Sequence, residues 1–335
     1  MSAFGPPDSD GVWHTRGGPA ASYRPCRNYR VENVCNWMIP ADSPDDLCDS
    51  CRLTQIIPRQ HDPESRHRWY LLEKAKRSLI YSLRGLNLPI RSRAEDPEHG
   101  LSFQFLEAPE PSTHVLTGHE SGVITLNVAE AEDVVREQMR TAMHEPYRTL
   151  LGHFRHEIGH YYWDLLIGPT DELWEFRQLF GDERQDYNSA LQAYYQKGPP
   201  STWARHYISA YATAHPWEDW AETWAHYLLI SDALHTAEHW GFTLKPASTR
   251  DAPVSETKVS RAVGDISTLL LDQWVPLALF LNSMNRTLGH SDAYPFVMPP
   301  PVIDKLRFID SVVKRAAGAS RESVASGNSG QPALL

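Results

Sequence analysis

The chain has 335 residues, 41% of them apolar and 22% charged, which is the composition of a globular protein with about two structural units. Its 32 basic and 42 acidic side chains give a net charge of −10, which disfavours nucleic-acid binding through a positive surface. The longest apolar run, residues 274–281, is far shorter than the ~20 residues of a membrane span, and residues 1–10 lack the features of a secretory signal. We therefore expect a cytoplasmic protein without a membrane partner.

The first segment of the chain contains all of its cysteines. Residues 1–22 are rich in Gly, Pro, Ser and Ala and are predicted to be disordered, and a small cysteine unit follows at residues 23–60. Disulfides are rare in a reducing cytosol, whereas a C-x2-C pair is a common turn for tetrahedral zinc. We therefore expect a closed, structural zinc knuckle in preference to four unconnected thiols. Its predicted ligands are Cys26, Cys35, Cys48 and Cys51.

The elements that follow predict an α+β architecture. Residues 68–86 have apolar side chains at helical spacing, and residues 101–106 and 122–128 have the β-branched and aromatic side chains of strands. Most of the remaining chain has helical patterns, at residues 131–144, 147–167, 172–179, 184–196, 216–239, 262–289 and 302–316. The small, polar residues 317–335 predict a disordered tail. We expect one mainly helical domain with a small β-sheet over residues 61–316, preceded by the knuckle.

One of these helices contains an H-E-x-x-H sequence at residues 156–160. Its histidines, His156 and His160, are four positions apart and therefore lie on the same helix face, where both imidazoles can reach one metal ion. Pro146 is suited to the first turn of this helix. Gly159 costs about 1 kcal/mol relative to alanine in a helix, so we expect another backbone to approach closely there.

A second helix offers a third ligand for such a metal. Glu218 and Glu222 lie beside an apolar stripe of tryptophans, where a carboxylate is disfavoured unless a cation or strong donors are nearby. A zinc ion and a histidine N–H would supply both, with one carboxylate as ligand and the other orienting a zinc-bound imidazole. The alternative is a solvated acidic helix face.

These features together resemble the gluzincin metallopeptidases, in which an H-E-x-x-H helix is followed by a helix with E-x-x-x-E or E-x-x-x-D. Over roughly residues 25–310 the chain is similar to a bacterial family of zinc-binding metallopeptidases with an N-terminal zinc-ribbon-like region. The stretches that carry this similarity are residues 35–37, 48–53, 155–162, 179–183 and 216–222. Family members have a further cysteine pair upstream, which this chain lacks, so we expect only one knuckle. A metzincin is excluded because its third histidine would fall on Leu166.

The resemblance implies a zincin-like metallopeptidase fold and a role for each site residue. It makes His156, His160 and Glu218 the zinc ligands, and it makes Glu222 an outer-shell residue that faces His156. In this type of site Glu157 is the general base for a zinc-activated water. A hydrogen-bond donor for the oxyanion is also needed, and Tyr211 is the first candidate, with Tyr207 and His215 as alternatives.

The predicted function is therefore zinc-dependent hydrolysis of peptide bonds in a peptide or protein substrate, with one catalytic and one structural zinc ion. Two other interpretations remain open. In the first, the same zinc chemistry hydrolyses a non-peptide amide. In the second, the chain is a non-catalytic scaffold whose knuckle binds a protein or nucleic acid.

Overall fold

The computed structural model describes residues 4–16, 21–60, 62–108, 115, 117–142, 148–246, 256–260 and 265–326. The chain packs as two units, one comprising residues 1–136 and 317–335 and the other residues 137–316. The domain boundary near residue 60 that the sequence predicts stays a prediction. Within the first unit, Thr54–Ile56, just after the last cysteine, pairs as a parallel strand with Ser102–Leu106.

Helices make up most of the described residues. The α-helices are α1 (Arg27–Arg30), α2 (Pro63–Gly85), α3 (Asp133–Ala142), α4 (Leu150–Leu166), α5 (Glu172–Phe180), α6 (Tyr187–Lys197), α7 (Pro216–His239), α8 (Ile266–Leu269), α9 (Val275–Thr287) and α10 (Pro300–Ser326). A π-helical turn at Leu270–Trp274 joins α8 to α9. Short 3-10 turns lie at Cys51–Leu53, Val128–Ala131, Trp203–Arg205 and Tyr211–Thr213.

The strands of the described residues form three small sheets. They are β1 (Trp13–His14), β2 (Ser22–Pro25), β3 (Met38–Pro40), β4 (Thr54–Ile56), β5 (Ser102–Leu106), β6 (Gly118–Glu120), β7 (Val123–Asn127), β8 (Thr243–Leu244) and β9 (Thr257–Lys258). The first sheet is antiparallel with the order β1-β2-β3, and β8 pairs antiparallel with β9. The largest sheet has the order β4-β5-β7-β6, in which only the β6–β7 pair is antiparallel.

This architecture confirms the predicted α+β class with a helical majority. Within residues 1–22 and 317–335, for which composition predicts disorder, the structure forms strand β1 and the last turns of α10. Strand β1 is ordered by pairing with β2, and α10 continues through alanines that favour a helix. Residues 1–3, 17–20 and 327–335 lie outside the described residues. Among the helices that are described, none is long and apolar enough to cross a membrane.

Candidate metal centre

Helix α4 presents the histidines of the H-E-x-x-H sequence. It begins at Leu150, where the side chain of Thr149 caps it by accepting a hydrogen bond from the Gly152 amide at 3.0 Å. Pro146, the residue expected in the first turn, lies outside the described residues. His156 and Glu157 are buried and His160 is half-buried, so this face of α4 faces the interior of the second unit.

Helix α7 packs directly against α4. An added Cβ at Gly159 would lie only 3.0 Å from the Ala221 Cα, so the close backbone approach that we predict there is confirmed. Trp220 reinforces this contact, since its Nε1 donates a hydrogen bond to the Gly159 carbonyl oxygen at 2.8 Å. The crossing brings the first two turns of α7 to the histidines of α4.

Three ligand atoms converge at this crossing. The Nε2 atoms of His156 and His160 are 3.3 Å apart, and Glu218 Oε2 lies 3.1 Å from His156 Nε2. Zinc bound tetrahedrally at about 2.0–2.1 Å holds neighbouring ligand atoms about 3.3 Å apart. Glu218 Oε2 is buried and has no hydrogen-bond partner among the described residues, which is costly for a carboxylate oxygen without a cation. The three residues therefore fit a zinc ion in both spacing and chemistry.

The position of Glu222 suits an outer-shell residue. Its Oε1 lies 2.7 Å from Nδ1 of His156, so the imidazole donates from Nδ1 and keeps Nε2 as the metal-facing atom. Burial by itself would lower the pKa of His156, but the close contacts with Glu218 and Glu222 and their negative charges outweigh it and hold that pKa well above its usual value. The site thus concentrates negative charge where a cation would bind.

Two tyrosines lie beside these residues. The Tyr211 ring centroid is 6.0 Å from that of His156, so the structure brings this predicted residue to the site. The two alternatives for its role have other contacts: the Lys305 Nζ lies 4.4 Å from the centre of the Tyr207 ring, and the His215 side chain caps α7. Tyr187 donates a hydrogen bond to Glu218 Oε1 at 2.6 Å. This contact was not predicted from the sequence, because no spacing pattern links residues 31 positions apart.

Asp219, a second carboxylate at the start of α7, pairs with a lysine, and this contact too was not predicted from the sequence. Asp219 accepts a hydrogen bond from the Lys305 Nζ of α10 at 2.5 Å, and both side chains are almost fully buried. Lys305 also donates to the His206 carbonyl oxygen at 3.0 Å. These bonds fix the start of α7, and with it Glu218, relative to α10.

The four cysteines form a separate set in the first unit. Their sulfur atoms all lie within 4.8 Å of one another, and the Cys35 and Cys48 sulfurs are 3.8 Å apart. Tetrahedral zinc with bonds of about 2.3 Å to sulfur gives this spacing, about 3.8 Å. Backbone amides of Trp37 and Cys48 donate to cysteine sulfurs at 3.4 and 3.3 Å, which suits anionic thiolates. Among the described residues, this set and the one around His156 are the groups that fit a metal ion.

Comparison with family models decides where the chain belongs. Residues 65–312 match a family described as "putative zinc-binding metallo-peptidase", and residues 1–62 match a zinc-ribbon domain. The chain belongs to this metallopeptidase family. The resemblance to a family of zinc-binding metallopeptidases with an N-terminal zinc-ribbon-like region is thereby confirmed.

Relatives of this chain are found in mycobacteria. The chain is 47% identical over 294 residues to uncharacterized proteins of Mycobacterium bovis and of two Mycobacterium tuberculosis strains. Each alignment covers 87% of this chain and 83% of the relative. No solved structure matches the chain.

Proposed function

We propose that this family member hydrolyses peptide bonds at a zinc ion held by His156, His160 and Glu218, as in the gluzincin class. The observation that carries this proposal is the convergence of two imidazole nitrogens and one unpartnered, buried carboxylate oxygen. Three protein ligands leave the fourth tetrahedral position for water or substrate, as in other catalytic zinc sites. Zinc bound there would act as a Lewis acid and lower the pKa of water towards neutrality.

The protein side chains supply the rest of the chemistry. Glu157, next to His156 on α4 and 95% buried, accepts the proton of the attacking water and passes it to the leaving amine. Glu222 holds the His156 imidazole in the tautomer that ligates through Nε2. Tyr211 donates a hydrogen bond to the oxyanion; burial raises its pKa well above its usual value, which keeps the phenol protonated.

The cysteine set has a different role in this proposal. Its four thiolates would close the coordination sphere of a second zinc ion, which leaves no position for a substrate. We assign this ion a structural function, so the protein holds one catalytic and one structural zinc. The substrate is a peptide or protein, as the family implies.

Glu157→Gln tests the proposed chemistry. The variant removes the proton acceptor but no metal ligand, so peptide hydrolysis should fall by about 10²–10⁴-fold, while zinc content stays that of the wild type. Peptide-library digestion and elemental analysis measure the two quantities. Activity that survives this substitution would remove Glu157 from the mechanism.

A hydroxamate inhibitor distinguishes the peptidase from a non-catalytic scaffold. Hydroxamates bind zinc through positions that the protein leaves open, so the wild type should bind one with micromolar or tighter affinity. Failure of the zinc-loaded protein to bind any hydroxamate in calorimetry would favour the scaffold.

A further inference from the structure

The hydrogen bond from Tyr187 places a second constraint on Glu218. The phenol donates to Oε1 at 2.6 Å, and the Glu218 side chain is 99% buried, so no water competes for this oxygen.

Without this hydrogen bond, Glu218 could bind a metal ion through one of its oxygens or through both. Oε2 lies 3.1 Å from His156 Nε2, and Oε1 lies 3.7 Å from His160 Nε2, so both oxygens face the imidazoles. A carboxylate that binds through both oxygens occupies one more coordination position than one that binds through a single oxygen. That extra position is the one a catalytic zinc site needs for water.

We propose that Tyr187 is a positioning residue that restricts Glu218 to binding zinc through Oε2 alone. The hydrogen bond occupies Oε1 and leaves Oε2, the oxygen without a hydrogen-bond partner, as the metal ligand. The fourth coordination position then stays available to water. This inference rests on the proposed function, because it concerns the same metal centre.

The start of α6 is tied to the start of α7 in a way that holds Tyr187 in place. The His215 Nδ1 accepts a hydrogen bond from the Trp217 amide, so its Nε2 carries the proton and donates to the Gln185 carbonyl oxygen at 3.1 Å. The Tyr187 ring packs edge-on against the His215 imidazole, with ring centroids 5.2 Å apart. The phenol therefore reaches Glu218 from a fixed position.

Cobalt substitution tests this inference independently of turnover. Zinc is left in the cysteine set, Co²⁺ is added to the emptied second site, and the visible absorption of the His160→Ala protein is subtracted as the baseline. Four-coordinate Co²⁺ absorbs more strongly than five- or six-coordinate Co²⁺. Tyr187→Phe keeps the ring but lacks the hydroxyl, so its cobalt absorption should be weaker than that of the wild type.

Activity and a matched control complete the design. The kcat of Tyr187→Phe should fall about 10- to 100-fold, as for other partners of metal ligands, with a smaller change in KM. Tyr195→Phe removes a phenol hydroxyl from the same helix at a side chain that is 61% exposed, and should keep the wild-type cobalt spectrum. Tyr187→Leu also lacks the donor, should show the same weak absorption, and serves if Tyr187→Phe does not fold.

The outcomes separate this inference from the proposed function. Equal cobalt spectra for the wild type and the folded Tyr187 variants overturn the inference, even if kcat falls, because Tyr187 would then act on the substrate. A wild-type spectrum no stronger than that of His160→Ala overturns the metal centre itself. The inference is supported if cobalt absorption is weak in the folded Tyr187 variants but strong in the wild type and in Tyr195→Phe.

Discussion

Three carboxylates lie within five residues at the start of α7, and each has its own partners. Glu218 faces two imidazoles and accepts from Tyr187, Asp219 pairs with Lys305, and Glu222 pairs with His156. A buried charge without a partner costs several kcal/mol, so each of these side chains requires the groups around it. Of this acidic helix face, Glu218 and Asp219 are buried and Glu222 is half-buried, so the face is not the solvated surface that the sequence left as an alternative.

His226, one helical turn after Glu222, shows the cost of burial at a single residue. It is buried, with Nδ1 lying 2.8 Å from the Tyr294 hydroxyl and the Phe296 ring edge-on against it. Burial lowers its pKa to about 4, although the negative charge of Glu222 opposes this shift; the charge of Arg155 adds to it. His226 is therefore neutral in the folded protein at neutral pH.

This shift predicts a pH dependence of stability. An unfolded histidine has a pKa of about 6.5, so between pH 6.5 and 4 the unfolded chain binds more protons and the folded state loses stability as the pH falls. From pH 7 to 5 the loss amounts to about 2 kcal/mol. Glutamine does not titrate, so between pH 7 and 5 the free energy of unfolding of His226→Gln should fall by about 2 kcal/mol less than that of the wild type. Equal falls in denaturant titrations of the two proteins would contradict the buried, neutral His226.

At the level of secondary-structure elements, the proposed metal centre depends on the crossing of α4 and α7. Gly159 allows this crossing, since an added Cβ would meet the Ala221 Cα at 3.0 Å and the Trp224 Cβ at 3.2 Å. The tryptophans on this side of α7 are fully buried and make the contact rigid. Separating the helices would move Glu218 away from the histidines.

Gly159→Ala tests this dependence. Alanine favours a helix by about 1 kcal/mol, but overpacking a tight contact costs about 1–3 kcal/mol. We expect a lower melting temperature and weaker zinc binding at the His156 site, measured by calorimetry and by competition with a chelator. The control is Gly85→Ala at the end of α2, where an added Cβ meets no atom within 4 Å and should not destabilise the protein. Wild-type zinc affinity in Gly159→Ala would show that the crossing tolerates a wider separation.

The same elements show how far the sequence could predict the structure. The spacing of His156 and His160 was sufficient to place both on one face, because helical periodicity is a local property. The helix boundaries were also predicted to within a few residues for α4 and α7. The contact of Tyr187 with Glu218 was not predicted, because it depends on how α6 packs against α7. The parallel pairing of β4, β5 and β7 was likewise not predicted, because strand patterns do not specify strand direction.

On the scale of the whole chain, each packing unit contains one of the two groups of described residues that could hold a metal ion. The cysteines belong to the first unit, and His156, His160 and Glu218 all belong to the second. The thiolate set lies beside a buried ion pair between Glu73 and Lys76 of α2, and Glu73 Oε2 is 4.0 Å from the Cys51 sulfur. We therefore expect metal binding by the cysteines to be coupled to the packing of α2.

Cys51→Ser tests this separation of roles. Structural zinc contributes about 10 kcal/mol or more of binding free energy to small domains, so its loss should destabilise the first unit. We expect zinc content to fall from two ions to one and amide exchange to rise in residues 26–56. Retention of both zinc ions would contradict a structural site at the cysteines. Loss of both would show that the two sets do not bind zinc independently.

The position of the metal in the second unit is measured most directly by anomalous diffraction at the zinc edge, from crystals of the zinc-loaded protein. We predict a peak within about 2.2 Å of His156 Nε2, His160 Nε2 and one oxygen of Glu218, with a water or a bound inhibitor in the remaining position. A peak that excludes Glu218, or a coordination sphere completed by a fourth protein ligand, would contradict a catalytic zinc site.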